Sequence, residues 1–298
     1  MNAIVGSCLE RDDIFIVSGD AGLGVFDEFK KQYPDRFLNL GVAEQNAISF
    51  SAGLSLTGHK VFFYNIIPFV LYRCYEQVRN DICYQELPVV LVGIGSGVTY
   101  APQGMTHYAV EDLGLAQTLP NLSVFSPIDP IEAKLSALYS LGAKNPVYVR
   151  MAKSGEEDIH KNEDFDITKP QLIEDGTDIA FIFHGSIGPE VLKAAELLRR
   201  ENIHPKLISV PMLQPLNTDK LFSMLKGMRS VVTIEEHFIS TGLSGILAKT
   251  IAKNQPGWKF FSLGIPDNFI HEVKKLPSMR KHFGISAQEI ARFAKSII

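Results

Sequence analysis

The sequence predicts an α/β fold of two consecutive domains, each with three layers in which helices cover both faces of a parallel sheet. Short apolar runs alternate with longer amphipathic stretches along the chain, a pattern typical of strands joined by crossover helices. A charged stretch interrupts the alternation once. The length of 298 residues suits two domains of about 150 residues each. We expect domains at 1–153 and 176–298, with a linker at 154–175.

In the first domain, each predicted strand is a short and continuously apolar run, as expected for strands that are buried on both faces. These runs are Asp13–Ser18, Lys60–Asn65, Pro88–Ile94, Leu122–Phe125 and Pro146–Met151. The longer stretches between them have the apolar spacing of amphipathic helices. The helices predicted in this way are Val42–Leu56, Phe69–Tyr84, Ala109–Leu119 and Pro130–Leu141.

The linker is predicted from its charge. Residues 153–170 contain few large apolar side chains and many charged ones, which is typical of a solvated connection between domains. The alternation then restarts. Strands are predicted at Asp178–Phe183, Lys206–Val210, Ser230–Glu235 and Lys259–Leu263. Helices are predicted at Gly188–Glu201, Thr218–Lys226, Thr241–Asn254 and Ser286–Ile298.

Composition excludes several classes of function. The chain has 29 Lys and Arg against 33 Asp and Glu, a net charge of −4, so nucleic acid is a poor candidate partner. The longest apolar runs fall far below the roughly 20 residues of a membrane span. Charged residues follow the N-terminus closely, so we expect no secretory leader. Cys8, Cys74 and Cys83 form an odd set without metal-ligand spacing, which fits a cytoplasmic protein.

Glu44 is the first candidate for chemistry. It follows a glycine turn in Gly41–Asn46 and falls in the first turn of an apolar helix, where the helix dipole favours an anion. Small and apolar neighbours would disfavour the charged form of a carboxyl group buried among them. A solvated first-turn glutamate has the same spacing, so both interpretations stay open.

Two further segments could carry function. Phe69, Tyr72 and Tyr75 recur every third residue in a predicted helix, which more often indicates core packing than a ligand cradle. The loop Gly95–Tyr108 follows a buried-type strand, and open α/β sheets bind ligands at that end of their strands. His107 in this loop offers a hydrogen-bond donor or acceptor, although a lone loop histidine is usually solvated.

The turn in Phe183–Glu190 stays open between a small anion-binding site and an ordinary strand-to-helix connection. The sequence contains no P-loop, nucleophile elbow or metal-ligand cluster.

Several motifs together resemble the transketolase family. The segments similar to its pyrimidine-binding domain are Asp35–Asn46, Tyr75–Asp81, Gly104–Leu113, Leu119–Ala133 and Pro146–Lys153. Thr233–Gly245 resembles the signature of its C-terminal domain. The segments stand in the family's order and cover nearly the whole chain. The resemblance implies a transferase that uses thiamine diphosphate and Mg²⁺ in carbohydrate metabolism.

The resemblance also implies a missing half. Full-length transketolases begin with a domain whose GDG and NN motifs bind Mg²⁺ and the diphosphate. Here Gly19-Asp20-Ala21 lacks the required glycine, and no Asn-Asn pair follows. We therefore expect the C-terminal-half subunit of a split enzyme, with an N-terminal-half partner in a heterotetramer. The segment Phe69–Tyr84 is a candidate for the contact between copies of this chain.

Site residues follow from the resemblance position by position. Glu44 matches the glutamate that shares a proton with a ring nitrogen of the aminopyrimidine. Phe69 and Tyr72 match two of three aromatic residues that cradle this ring, and Ile66 replaces the first. Asp20 matches an acidic residue near the cofactor and the domain interface.

Substrate residues diverge from the family pattern. His107 matches a substrate-facing histidine, but Gln103 stands where an aspartate binds a sugar hydroxyl, and Tyr108 replaces a glutamine. Lys153 aligns with the phosphate arginine, with Arg150 nearby as a second cation. Two further phosphate ligands are replaced by glycine, at Gly24 and Gly95. The expected reaction is therefore transfer of a two-carbon ketol unit on a specialised sugar-type substrate.

Two alternatives stay open. One is decarboxylation of a 2-oxoacid with the same cofactor, as in deoxyxylulose-phosphate synthases and the beta chains of 2-oxoacid dehydrogenases. The other is an inactive homologue that regulates a partner.

Overall fold

The computed structural model describes residues 6, 7, 11–153 and 156–298. Cys8, with residues 1–5, 9 and 10, and positions 154–155 of the predicted linker lie outside the described residues. The described strands are β1 (Ile14–Ser18), β2 (Phe37–Asn39), β3 (Lys60–Ile66), β4 (Val90–Ile94), β5 (Ser123–Phe125), β6 (Val147–Met151), β7 (Gln171–Glu174), β8 (Ile179–Phe183), β9 (Pro205–Ser209), β10 (Met212–Gln214), β11 (Ser230–Phe238) and β12 (Lys259–Ile265).

The described helices connect these strands and cover their faces. They are α1 (Asp27–Gln32), α2 (Glu44–Leu56), α3 (Tyr75–Gln77), α4 (Asp112–Ala116), α5 (Pro130–Gly142), α6 (Gly188–Arg199), α7 (Thr218–Met224), α8 (Leu243–Asn254), α9 (Leu276–His282) and α10 (Ala287–Ile297). None of the helices in this part of the chain has the length and apolar content that crossing a bilayer requires.

The first sheet has the strand order β10-β5-β6-β4-β3-β1-β2. All neighbours pair in parallel except β10, which is antiparallel to β5. Both faces are covered: Val17 and Phe63 pack in the cluster that contains α2, whereas Ile16 and Phe62 pack in the cluster that contains α1. Burial on both faces explains the continuous apolar runs of the sequence.

The second sheet has the order β12-β11-β8-β9-β7, parallel apart from β7. The α/β class with two largely parallel sheets is confirmed. The short edge strands β2, β7 and β10 were not predicted. Because β10 comes from residues after 176 and joins the first sheet, the two predicted domains share a sheet. Their bounds stay a prediction.

The segment predicted as one helix over Phe69–Tyr84 is irregular. It contains π-helical turns at Pro68–Tyr72 and Val78–Cys83 on either side of α3. A π-helical turn shifts the phase of the side chains that follow it, and such turns are frequent at functional sites.

The linker is anchored rather than wholly solvated. The backbone N–H groups of Ile159 and His160 donate to Asp129 Oδ2 at 2.9 and 2.8 Å. His160 Nδ1 lies 3.0 Å from the same oxygen, and its ring stacks on Phe165 at 4.5 Å between centroids. Asp129 also caps α5, so the linker is fastened to the start of that helix.

Candidate active site

Glu44 occupies the first turn of α2 and is only 3% exposed. Its Oε2 accepts a hydrogen bond from Arg73 Nη1 at 2.7 Å, and Arg73 itself is 45% exposed at the protein surface. The apolar surroundings expected from the sequence therefore include one cation. The ion pair and the N-terminal end of the helix dipole both stabilise negative charge on this carboxylate.

A row of ring contacts begins at this ion pair. The guanidinium carbon of Arg73 lies 4.4 Å from the centroid of the Phe69 ring. The other neighbour of Phe69 is His107, whose ring meets it edge-on at 5.6 Å between centroids. The Arg73 N–H donates to Pro68 O at 3.0 Å, closing the π-helical turn. That turn places Phe69 and Arg73 together beside Glu44.

The row continues to a second cation. The ring of Tyr100 lies 6.1 Å from that of His107, and Lys153 Nζ lies 5.1 Å from the Tyr100 centroid. Thr106 Oγ1 lies 2.9 Å from His107 Nδ1. A Cβ at Gly95 would come within 2.2 Å of the Tyr100 ring, so packing of this tyrosine explains a glycine at that position.

The remaining predicted cofactor residues lie at the carboxyl ends of neighbouring strands. Ile66 ends β3 and is half-buried. Asp20 is exposed, and its N–H donates to Gly41 O at 3.1 Å in the turn before Glu44. Beside them, the buried side-chain amide nitrogen of Asn65 has no hydrogen-bond partner within the described chain.

Tyr72 is tied to the interior. Its hydroxyl donates to Glu111 Oε2 at 2.9 Å and accepts the Glu111 N–H at 3.1 Å. Burial, together with the charges of Asp112 and Glu111, raises the pKa of Tyr72 well above its ordinary value. The hydroxyl is thus committed to the protein, and only the ring remains available to a ligand.

Arg150 does not serve the site as expected. It is 1% exposed, and its Nε donates to Asp112 Oδ2 at 2.8 Å. Its Nη2 donates to Ala109 O at 2.8 Å and to Glu236 O at 3.2 Å. The guanidinium is engaged inside the protein, between the two halves of the chain, so Arg150 is withdrawn as a substrate ligand. Lys153, by contrast, is exposed.

The two substituted loop positions behave differently from each other. Gln103 is exposed at the end of a short turn. Tyr108 is fully buried, with its hydroxyl 2.8 Å from Ala101 O and 2.9 Å from Glu272 O. It faces the second half of the chain and not a substrate.

The turn in Phe183–Glu190 is an ordinary connection. Gly185, Ser186 and Ile187 are buried, and His184 Nδ1 lies 2.8 Å from Ser126 Oγ. Burial, helped by the charge of Arg150, lowers the pKa of His184 to about 3. A neutral, buried turn is unsuited to an anion.

Sequence reasoning missed Arg73, Tyr100 and Asn65 as parts of the site. The signal for Arg73 was its position four residues after Phe69, on the same side of a helix. No comparable pattern marks Tyr100, which lies in an irregular loop, or Asn65, whose amide lies against Gly19 from a distant part of the chain.

Comparisons with known proteins agree with this geometry. Residues 1–155 match the model of the transketolase pyrimidine-binding domain, and residues 169–290 match that of the transketolase C-terminal domain. A subunit of the apulose-4-phosphate transketolase of Actinobacillus succinogenes is 32% identical over 96% of this chain and 92% of its own. A 1-deoxy-D-xylulose-5-phosphate synthase of Caldanaerobacter subterraneus is 32% identical over 88% of this chain but 42% of its own.

A solved structure agrees in fold. A protein described as a split-gene transketolase in an inactive β4 tetramer superposes with a TM-score of 0.87 at 28% identity, covering 99% of this chain and 95% of its own.

Proposed function

Because the chain belongs to the transketolase family, we propose that it is the C-terminal-half subunit of a split, thiamine-diphosphate-dependent transketolase. The enzyme transfers a two-carbon ketol unit between specialised sugar-type substrates and is active only with an N-terminal-half partner. One observation carries the proposal: a continuous row of contacts joins the buried carboxylate of Glu44 to Phe69, His107 and Lys153.

The residues present fit the pyrimidine end of thiamine diphosphate. Glu44 offers a buried carboxylate, and Phe69 and Ile66 offer apolar surface beside it. The unpartnered amide of Asn65 offers a hydrogen-bond donor at the same strand ends. We assign the diphosphate and Mg²⁺ mainly to the partner, since Gly19-Asp20-Ala21 departs from the family's diphosphate motif.

The roles of the side chains follow from their positions. When bound, thiamine diphosphate supplies the nucleophilic carbon that accepts the two-carbon unit. Glu44 would hold a proton shared with a ring nitrogen of the aminopyrimidine. His107, on the far side of Phe69, donates a hydrogen bond to the oxygen of the substrate carbonyl as negative charge develops on it.

The substrate is distinguished by what surrounds Lys153. It is the exposed cation at the end of the row, and Gly24 and Gly95 provide no side-chain ligand. Each charge-assisted hydrogen bond to a phosphate contributes about 1.5–3 kcal/mol, so ordinary pentose phosphates bind weakly. A relative named for apulose 4-phosphate supports a specialised sugar-type substrate.

Assembly is proposed as a cytoplasmic heterotetramer with two copies of each half. The segment Phe69–Tyr84 and the start of α2 form the contact between copies of this chain. Tyr84, at the end of this segment, and Val42, two residues before α2, are large exposed apolar residues. A relative described as an inactive tetramer of one subunit type supports both self-association and the need for a partner.

The decarboxylating alternative is favoured less. This chain spans 42% of the synthase relative but 92% of the transketolase relative. Release of CO₂ from pyruvate by the reconstituted pair would favour it over ketol transfer. The inactive-homologue alternative is favoured less, since the sequence retains Glu44 and His107.

The first experiment is native mass spectrometry of the chain purified from its own cells. A stoichiometric partner of the N-terminal-half type, with thiamine diphosphate present in the complex alone, is the expected result. A homodimer that holds thiamine diphosphate and Mg²⁺ without a partner would overturn the split-site proposal.

The second experiment is Glu44→Gln in the reconstituted complex. Glutamine keeps the acceptor for Arg73 but cannot hold a titratable proton, so ketol transfer should fall by at least about 10²-fold. Glu28→Gln, at an exposed glutamate, is the matched control and should leave the rate unchanged. Full activity of Glu44→Gln would refute the assigned role.

A further inference from the structure

The loop that carries His107 is closed by a β-bridge at its neck, and the second half of the chain holds it by hydrogen bonds. We define this His107 loop as residues 95–110. Its neck is a two-residue bridge in which Gly97 and Ala109 exchange N–H···O bonds, both at 2.8 Å. We infer that Glu236 and Tyr108 are positioning residues that set where His107 stands in the site. This inference rests on the function proposed above for His107.

Glu236 holds one side of the neck. Its Oε1 accepts the Val98 N–H at 2.8 Å, and its Oε2 accepts Arg280 Nε at 2.8 Å. All of these groups are buried: Glu236 is 1% exposed. Hydrogen bonds to a charged group in such surroundings are strong, and leaving one partner unsatisfied is costly. The carboxylate therefore fixes the loop backbone against α9.

Gly97 shows how closely the two parts approach. Its φ is +63°, and a Cβ there would stand 2.5 Å from Glu236 Cγ. Both the backbone conformation and the space demand glycine. The side chain of Glu236 thus lies directly against the neck of the loop, with no room for another side chain between them.

The other side of the neck is held by the same strand. Phe238 N–H donates to Val110 O at 2.9 Å, two residues after Glu236 on β11. Arg150 Nη2 joins Ala109 O to Glu236 O. Both strands of the neck are therefore bonded to β11, once through a side chain and once through the backbone.

Tyr108, which directly precedes the neck residue Ala109, fastens the middle of the loop. Its buried hydroxyl bridges Ala101 O within the loop and Glu272 O in the segment that precedes α9. A Cβ at Gly104 would lie 3.3 Å from Val273 Cγ2, which shows that the same segment lies along the loop. Tyr108, which stands where the family has a glutamine, thus holds the loop against this segment.

The functional consequence comes from the contact between His107 and Phe69. Phe69 belongs to the first half, whereas the position of His107 is set through the loop by the second half. Glu44, Ile66 and Phe69 all lie outside the loop. A loosened loop should therefore impair substrate turnover while binding of thiamine diphosphate is preserved.

The test compares Glu236→Ala, Glu236→Gln and Glu190→Gln in the reconstituted complex. Glu190 is the matched control, since its Oε1 lies 3.7 Å from Arg280 Nη1 but it makes no contact with the loop among those described. Hydrogen exchange of peptides over 95–110 is measured beside kcat, KM and the dissociation constant of thiamine diphosphate.

For Glu236→Ala we expect faster exchange over 95–110 and a kcat/KM lower by about 10- to 100-fold, since small misplacements of a catalytic group have costs of this size. The cofactor dissociation constant should stay within about twofold of wild type, because the cofactor residues lie off the loop. Glu236→Gln keeps an oxygen for Val98 but turns amide N–H groups toward the Arg280 donor, so its activity should fall between those of Glu236→Ala and wild type. Glu190→Gln should behave as wild type.

Unchanged exchange over 95–110 in Glu236→Ala would overturn the inference. So would a cofactor affinity that falls in parallel with kcat/KM, because that indicates general damage. Tyr108→Phe is the second variant: it should raise exchange over the same peptides, and wild-type exchange there would count against the anchoring role of Tyr108. If the wild-type complex transfers no ketol unit, the proposed function fails. The exchange measurements then still show whether Glu236 and Tyr108 hold the loop in place.

Discussion

Replacing Arg150 by methionine separates a structural role from a substrate-binding one. Methionine keeps much of the apolar volume but removes the guanidinium from Asp112, a fully buried carboxylate. The hydroxyl of Tyr148, which donates to Asp112 Oδ2 at 2.8 Å, is then the remaining donor from the strand β6. Removing one member of a buried ion pair costs about 3–5 kcal/mol, because the other charge is left without compensation. We expect a loss of this size in the free energy of unfolding.

The assay is urea unfolding followed by circular dichroism, with a double-mutant cycle. Asp112→Asn in the Arg150→Met background removes the buried charge and should recover about 2 kcal/mol or more. Arg292→Met is the control. Arg292 is 72% exposed in its ion pair with Glu289, so its loss should change stability by less than about 0.5 kcal/mol. A higher KM at unchanged stability in Arg150→Met would refute the structural role and restore this arginine as a substrate ligand.

Three further predictions concern the linker, a helix cap and the aromatic segment. Burial opposes the charged form of His160, but its hydrogen bond to Asp129 and the nearby carboxylates outweigh it and raise its pKa above 6.5. Protonated His160 therefore stabilises the fold below its unfolded pKa, and this stability is lost as the pH rises through its folded pKa. His160→Gln should lower the free energy of unfolding more at about pH 5.5 than at about pH 8.5. Equal losses at both pH values in urea titrations would contradict this. Gly242→Ala should lower stability by at least about 2 kcal/mol, because its Cβ would stand 1.9 Å from Glu235 Oε2, and an unchanged melting temperature would count against it. Tyr72→Phe removes two half-buried hydrogen bonds to Glu111 and should cost about 1–3 kcal/mol in unfolding experiments, whereas a neutral result would show that these bonds contribute little.

The fold was predictable wherever a run of residues carries its own signal. Strands such as β4 and β8 are buried on both faces, so their apolar runs identify them directly. The strand β10 has three residues, and it exists because Met212 pairs with Phe125, 87 positions earlier in the chain. The strand propensity of a few neighbouring residues carries no information about a partner strand so far away in the sequence.

The site was predictable to the extent that its motifs are local. Glu44 and His107 follow from short segments, and the structure places both in one row of contacts. Arg150 shows the limit. The charge of Arg150 suggested a substrate ligand, but its guanidinium is held in the interior by Asp112, 38 residues earlier in the chain. The linker illustrates the same point, since its charged composition predicted solvation while His160 is held by Asp129.

The strand β10 also has a consequence for how the chain can be divided. It closes one edge of the first sheet, and Pro211 O accepts the Ser126 N–H at 2.8 Å beside it. A cut within the linker would strip β5 of this neighbour and leave an open β-edge, the kind of surface that recruits other chains into aggregates. Fragments that begin or end within the linker should therefore aggregate when they are expressed separately. The intact chain should melt as one cooperative body in a calorimeter, and not as two modules in sequence.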